Sequence, residues 1–164
     1  MGGKSWGGDG RLFQILNGTV DLVIDHNTAF QTGTAIMADG VPNPGFVFRN
    51  NIVAHNAYGI TGSGTSAGNL TFRTYFPGLV FARNVLVGPW PSVGGATRSM
   101  YSDRPDNFFP ASLDAVGFVN RARGDYRLAA SSRYRTAGTD GKDVGADFGA
   151  LSAAVTAPLA ETQP

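Results

Sequence analysis

Residues 21–31 read DLVIDHNTAFQ, residues 45–55 read GFVFRNNIVAH and residues 78–88 read GLVFARNVLVG. Each is a short apolar run, a polar step, an asparagine and a second apolar run, and superposition puts Asn27, Asn51 and Asn84 at one offset. A single copy of this template cannot bury its own apolar face, so the copies must stack on one another to form a core, as in a solenoid. Leu22, Phe46 and Leu79 share one offset, and Ile24, Phe48 and Phe81 share the offset two residues later. Side chains alternate along a strand, so both columns point inward while Val23, Val47 and Val80, between them, point outward. An exposed face seldom carries a whole column of valines, and the segment from Pro89 to Val116 is expected to pack over them, with Phe108-Phe109 as the plug.

A second strand family lies between the template copies at Leu12 to Leu16, Ala35 to Met37 and Tyr58 to Thr61, each followed by turn residues such as Asn17-Gly18 or Asp39-Gly40. The template asparagines are 24 and then 33 residues apart, which places about nine extra residues in a loop around Gly64 to Pro77. Asn69-Leu70-Thr71-Phe72 reads as a strand within that loop. Beyond Pro89 the template fades. Asn107 to Leu113 reads as a bend into one helical turn with Pro110 near its start, and Asp125 to Leu128 and Asp143 to Ala146 read as short strands.

Composition fits this reading. The chain has 164 residues, 42% of them apolar, with 23 glycines and one glutamate, Glu161, so turns and strands are favoured over long helices. The formal charge of +1, with no basic stripe, gives no footprint for nucleic acid or anionic lipid, and no run of eighteen apolar residues provides a membrane span. Without cysteine there is neither a disulfide framework nor a thiolate nucleophile. The N-terminus carries no apolar leader, and a strand begins about ten residues in. The chain therefore reads as a C-terminal piece of a longer solenoid, with a flexible lead over 1–10, the repeat domain over 11–150 and a mobile tail over 151–164. Leu12, Phe13, Ile15 and Leu16 would be bared at the open first coil, and a homodimer through residues 5–20 would cover them.

The asparagine template, together with Gly124-Asp125-Tyr126-Arg127-Leu128 and Ala137-Gly138-Thr139-Asp140-Gly141-Lys142-Asp143-Val144-Gly145-Ala146, resembles the right-handed parallel β-helix superfamily that includes pectate lyases and polygalacturonases. Ser132-Arg133-Tyr134 departs from the superfamily's closing pattern, which usually has proline at the middle position. The resemblance implies an all-β right-handed parallel β-helix of about four coils with an irregular C-terminal cap. It also implies a fragment of an exported bacterial protein, extracellular or at the cell surface, that recognises polysaccharide or serves as a structural solenoid without catalysis. The alternative it leaves open is a carbohydrate-active lyase or glycosidase.

The candidate sites follow. Asn27, Asn51 and Asn84 read as a structural ladder, bonding amide to amide along the stack. Asp25 and Arg49 share an offset in neighbouring coils, about 4.8 Å apart on the outer face, and read as an exposed ion pair. In the resembled lyases carboxylates hold Ca²⁺ and an arginine takes a proton from the uronate. Asp25 and Arg49 would fill those roles here, although no cluster of acids surrounds Asp25 and the third copy has Ala82. His26 and His55 stand at unrelated offsets and do not read as a metal pair. Gly64-Thr65-Ser66-Ala67-Gly68 matches the Gly-x-Ser-x-Gly turn of serine hydrolases, with His55 as the nearest base for Ser66 acting on an ester-like bond. Trp90, Tyr101 and Arg104, with Arg98, Phe108 and Phe109, read as a ledge for stacking sugar rings.

Overall fold

The computed structural model describes residues 10–88 and 97–156. The chain runs through three short parallel sheets in the same order three times. The first pass is β1 (Phe13–Leu16), β2 (Val23–Asp25) and β3 (Thr28–Ala29), and the second is β4 (Ile36–Asp39), β5 (Val47–Arg49) and β6 (Ile52–Ala54). The third is β7 (Ile60–Gly62), β8 (Val80–Ala82) and β9 (Val85–Val87). The sheets are ordered β1-β4-β7, β2-β5-β8 and β3-β6-β9. Their register aligns Val23, Val47 and Val80 in one row and Ile24, Phe48 and Phe81 in the next. The chain is thus β-rich and dominated by parallel pairing. Among the described residues its α-helices are α1 (Asn69–Tyr75), α2 (Thr97–Met100) and α3 (Phe148–Thr156), single 3-10 turns lie at Asp114–Val116 and Arg121–Arg123, and an antiparallel pair, β10 (Phe118–Asn120) and β11 (Asp125–Leu128), lies near its end.

The turn from the second sheet to the third explains why the template carries asparagine. The residues just before the three asparagines, His26, Asn50 and Arg83, all adopt positive φ, near 51°, 56° and 56°. That left-handed step turns the chain sharply and takes the following backbone N–H out of any sheet ladder. The side-chain oxygen of the next asparagine in the stack accepts it. Asn51 Oδ1 takes the Asn27 N–H at 2.9 Å and the Asn27 amide at 3.0 Å, and Asn84 Oδ1 takes the same two donors of Asn51 at 3.1 Å each. The column continues to Asn107, whose Oδ1 receives the Asn84 N–H at 2.9 Å and the Asn84 amide at 3.0 Å. Residues 107–110 are therefore not the start of a helical turn. Phe108 pairs with Val85 as an isolated parallel bridge, and Leu86 and Gly88 donate to Phe108 and Pro110, so this stretch lies along β9 and ends the stack.

Inside, aromatic rings follow the strand register. Phe48 stacks on Phe81 at 5.7 Å between centroids, Phe81 on Tyr101 at 5.9 Å and Tyr101 on Phe109 at 5.7 Å. The extra residues between β7 and β8 fold as α1, not as a strand at 69–72. Thr71, Phe72 and Tyr75 share its buried face, and Phe72 packs against Phe81 and Tyr101. Tertiary packing of that face outweighs the strand preference of Thr71 and Phe72.

The third sheet is apolar on both faces. Val53 and Leu86 join the central core, while Ile52, Val85 and Val87 form a second cluster with Val116, Tyr134 and Val144. The C-terminal part of the chain therefore covers this sheet and not the valine column. Val23 and Val80 remain 56% and 45% exposed, and Phe108 and Phe109 face Tyr134 and Tyr101. Residues 143–146 cross over the sheet without forming a strand; Gly145 donates to the Asn50 carbonyl and Ala146 to the Thr28 hydroxyl. A side chain at Gly145 would collide with Thr28 and Ile52, and the residue is left-handed at φ 91°, so this crossing requires glycine.

At the first pass, Ile15 is buried and Phe13 is half-buried, its ring edge-to-face with Phe48 at 6.4 Å. The expected bare row of four apolar residues is thereby reduced, with Leu16 its most exposed member in this group at 39%. Residues 5–9 of the expected dimer contact, and the lead over 1–9, lie outside the described residues. Of the expected tail, residues 151–156 belong to α3, and the rest also lie outside.

Replacing Asn51 by Leu removes the acceptor for two donors of Asn27 and leaves the Asn84 oxygen without its Asn51 amide partner. At about 1–3 kcal/mol for each buried group left unsatisfied, Asn51→Leu should lower the thermal midpoint by several degrees or more. Differential scanning calorimetry checks this.

Candidate functional site

Asp25 ends β2 on the outer face, and Arg49 ends β5 beside it. Arg49 Nε donates to Asp25 Oδ2 at 2.7 Å, and the Asn50 amide donates to Asp25 Oδ1 at 2.9 Å. The left-handed step at His26 turns its ring toward the C-terminal segment. Nδ1 lies 3.0 Å from the Gly145 carbonyl, and Nε2 lies 3.2 Å from Asp140 Oδ2 and 3.8 Å from Asp25 Oδ1. Both ring nitrogens thus face oxygen atoms. Asn50 completes the cluster, its amide donating to the Thr139 hydroxyl at 2.9 Å and its oxygen accepting the Thr139 N–H at 2.8 Å. Asp140 is held below the usual carboxylate range by the Lys142 N–H and, secondarily, by the adjacent His26.

Sequence reasoning paired Asp25 with Arg49 but missed Asp140 and Thr139, which come from more than eighty residues downstream. The signal was confined to the adjacent Asp25-His26 dipeptide. The cluster fastens residues 138–145 to the coil corners. It does not suit Ca²⁺, because both Asp25 oxygens already accept hydrogen bonds and a guanidinium stands against one of them. Among the described residues, no group of three or more His, Asp or Glu is gathered where it could hold a metal ion.

His55 lies in the interior with Tyr101. The Ile60 N–H donates to the Tyr101 oxygen at 3.2 Å, the Tyr101 hydroxyl donates to His55 Nε2 at 2.6 Å, and His55 Nδ1 donates to the Asn56 carbonyl at 3.0 Å. This chain of donors fixes the neutral tautomer protonated at Nδ1. Gly59 makes room for it, since a side chain there would overlap the imidazole. Burial drives the His55 pKa down to about 3 and pushes the Tyr101 phenol up, the Ile60 N–H opposing the latter in part. An imidazole this weakly basic and held at both nitrogens is poorly suited to activating a serine.

Ser66 is exposed in the turn between β7 and α1, so its context is strand, turn and helix, contrary to the strand expected after Gly68. The turn is organised around its neighbours. Thr65 Oγ1 donates to the Gly62 carbonyl at 3.0 Å, and the Thr71 hydroxyl donates to the Ser66 carbonyl at 2.7 Å. Among the described residues, no side chain hydrogen-bonds the Ser66 hydroxyl.

Of the expected sugar ledge, Tyr101 is withdrawn into the core. Tyr101 is completely buried, Phe109 stacks on it, and Arg104 Nη1 bonds the Asp103 carbonyl at 2.9 Å; Arg98 is exposed on α2. Trp90 lies outside the described residues. A groove of about 490 Å³ lies elsewhere, between β11 and residues 135–149; Tyr126, Leu128, Val144 and Phe148 form part of its lining, with Arg135 and Lys142. No helix among the described residues is long and apolar enough to cross a membrane.

Comparison with protein-family models, with curated proteins and with solved structures produced no match.

Because His55 binds a proton far less readily when folded than at its ordinary value near 6.5, the unfolded chain takes up the extra proton between about pH 6.5 and 3. The stability held by neutral His55 is present above pH 6.5 and lost on acidification through that window, at up to about 1.4 kcal/mol per pH unit. Urea denaturation across this range should give a steeper loss for the wild type than for His55→Gln.

Proposed function

We propose that this chain is part of a right-handed parallel β-helix, in which the three passes are successive coils and residues 107–110 begin a fourth, irregular one. Its function is recognition of polysaccharide, without catalysis, in an exported bacterial protein. Support for the coil reading comes from the repeated sheet order and the unbroken asparagine column. The observation that carries the non-catalytic reading is that the strongest candidate groups are engaged internally. Asp25 is held by Arg49 and Asn50, His26 by Gly145 and Asp140, and His55 by Tyr101 and Asn56. An acid or base tied into the fold in this way must give up an internal hydrogen bond before it exchanges a proton with a substrate.

A second reading is favoured by one observation, the strand–turn–helix context of Ser66, which is the setting a serine nucleophile needs. One set of assays separates the two. The purified chain should release neither unsaturated product nor reducing ends from polygalacturonate, and no phenolate from aryl esters, while being retained on insoluble acidic polysaccharide. Ester turnover that disappears in Ser66→Ala would replace the first reading with the second, and lyase activity lost in Arg49→Ala would replace it with the superfamily's chemistry.

A further inference from the structure

Asparagine amides hold the turns of this fold together, yet two of them take no part. The column residues bond along the stack, Asn50 is held by Asp25 and Thr139, and Asn56 donates to the Gln31 and Gly33 carbonyls at 2.8 Å each. Among the described residues, the carboxamides of Asn17 and Asn120 form no hydrogen bond, and both residues are exposed. Asn120 precedes Arg121, whereas Asn17 precedes Gly18. The difference is chemical. The backbone nitrogen that follows an asparagine can attack its side-chain carbonyl carbon, and a β-carbon on the following residue obstructs that approach; glycine has none.

The local structure leaves the Gly18 nitrogen free for this. Asn17 and Gly18 form a left-handed turn after β1, at φ 56° and 82°, a conformation that these two residue types tolerate. On either side of Gly18 the backbone is pinned, with the Asn17 N–H donating to the Asp39 carbonyl at 3.2 Å and the Thr19 N–H to Asn43 Oδ1 at 2.9 Å. The Gly18 N–H between them has no acceptor among the described residues. At Asp39-Gly40 and Asp140-Gly141 the equivalent nitrogen is engaged: the Gly40 N–H donates to Asp39 Oδ1 at 2.8 Å and the Gly141 N–H to the Gly138 carbonyl at 3.1 Å. We propose that Asn17-Gly18 is a self-modifying site, at which the Asn17 amide is converted to a carboxylate with water as the sole co-reactant. The Gly18 nitrogen bonds to Asn17 Cγ, the Cγ–Nδ2 bond breaks, and the Gly18 amide proton leaves with Nδ2 as ammonia. Water then opens the resulting succinimide at Cγ, giving aspartate, or at the main-chain carbonyl carbon, giving isoaspartate. The Asn17 side chain lies against Gly40, where an added β-carbon would collide with its oxygen. Conversion therefore places a second carboxylate at the corner that already holds Asp39, and repulsion between them loosens the first pass from the second. It also removes the formal charge of +1.

The full folded chain is incubated at neutral pH and physiological temperature, and each asparagine is followed by digestion and fragment-ion mass spectrometry, with ion exchange resolving the acidic form. Asn17 should convert at least about tenfold faster than Asn120, and ahead of every hydrogen-bonded asparagine. Isoaspartate should be detected at position 17 alongside aspartate. An Asn17 that stays an amide in the folded chain while converting in urea would overturn the site, because the fold would then shield it. Equal rates at Asn17 and Asn120 would overturn the role of Gly18. The consequence is read separately by hydrogen exchange of residues 12–17 in Asn17→Asp and Asn17→Gln, each first shown to be folded by its melting curve. Exchange should be faster in Asn17→Asp than in Asn17→Gln at low salt, with the gap closing at high salt. Identical exchange in the two variants would overturn the loosening of the first pass.

Discussion

An asparagine side chain carries the same donor and acceptor pair as a peptide group, and this equivalence underlies the fold. At each turn from the second sheet to the third, a left-handed residue takes one backbone N–H out of ladder pairing, and the next asparagine's oxygen accepts it. Asn51 and Asn84 are completely buried, so their own donors have no access to water. Glutamine would place its amide one methylene too far out, and aspartate would remove the donor that continues the column. Since every link joins a residue of one pass to the same residue of the next, the column holds the stacking register of the two sheets that flank it.

The outer sides of the second and third sheets have different fates. The third is covered by Val116, Tyr134 and Val144, delivered by a segment that Asn50 and His26 hold at the corner. The second keeps its valines in water beside the Asp25–Arg49 pair. The same strand register thus produces one sheet with apolar residues on both faces and one with a bare face, and the difference comes from where the corner residues anchor the C-terminal segment.

The parts legible in sequence are those that repeat. Three aligned copies gave the inward and outward columns, the asparagine positions and the pairing of Asp25 with Arg49, because each of these is a property of the template. The valine column drew the expected covering segment to the wrong sheet, whereas the strand buried on both sides is the one carrying Val85-Leu86-Val87. The fourth asparagine was hidden because Asn107 is followed by Phe-Phe-Pro and lacks the apolar run that precedes the other three. Helix α1 was hidden because its residues favour strands locally and are helical through packing on Phe81 and Tyr101. Contacts such as Asn50 with Thr139 or His26 with Asp140 join residues about ninety or more positions apart with no repeated pattern, so nothing local announces them. The burial of His55 and Tyr101 is of the same kind: neither belongs to the template.

The spacing of the column asparagines is 24, then 33, then 23 residues, yet the amide-to-amide distances stay between 3.0 and 3.1 Å. The longer interval is accommodated entirely between β7 and β8, where α1 occupies the added length. Chain length at that corner is therefore uncoupled from the geometry of the stack. In an engineered version, the corner would serve as a socket, where a foreign loop or peptide replaces residues 63–68 while the asparagine column above and below keeps its pitch.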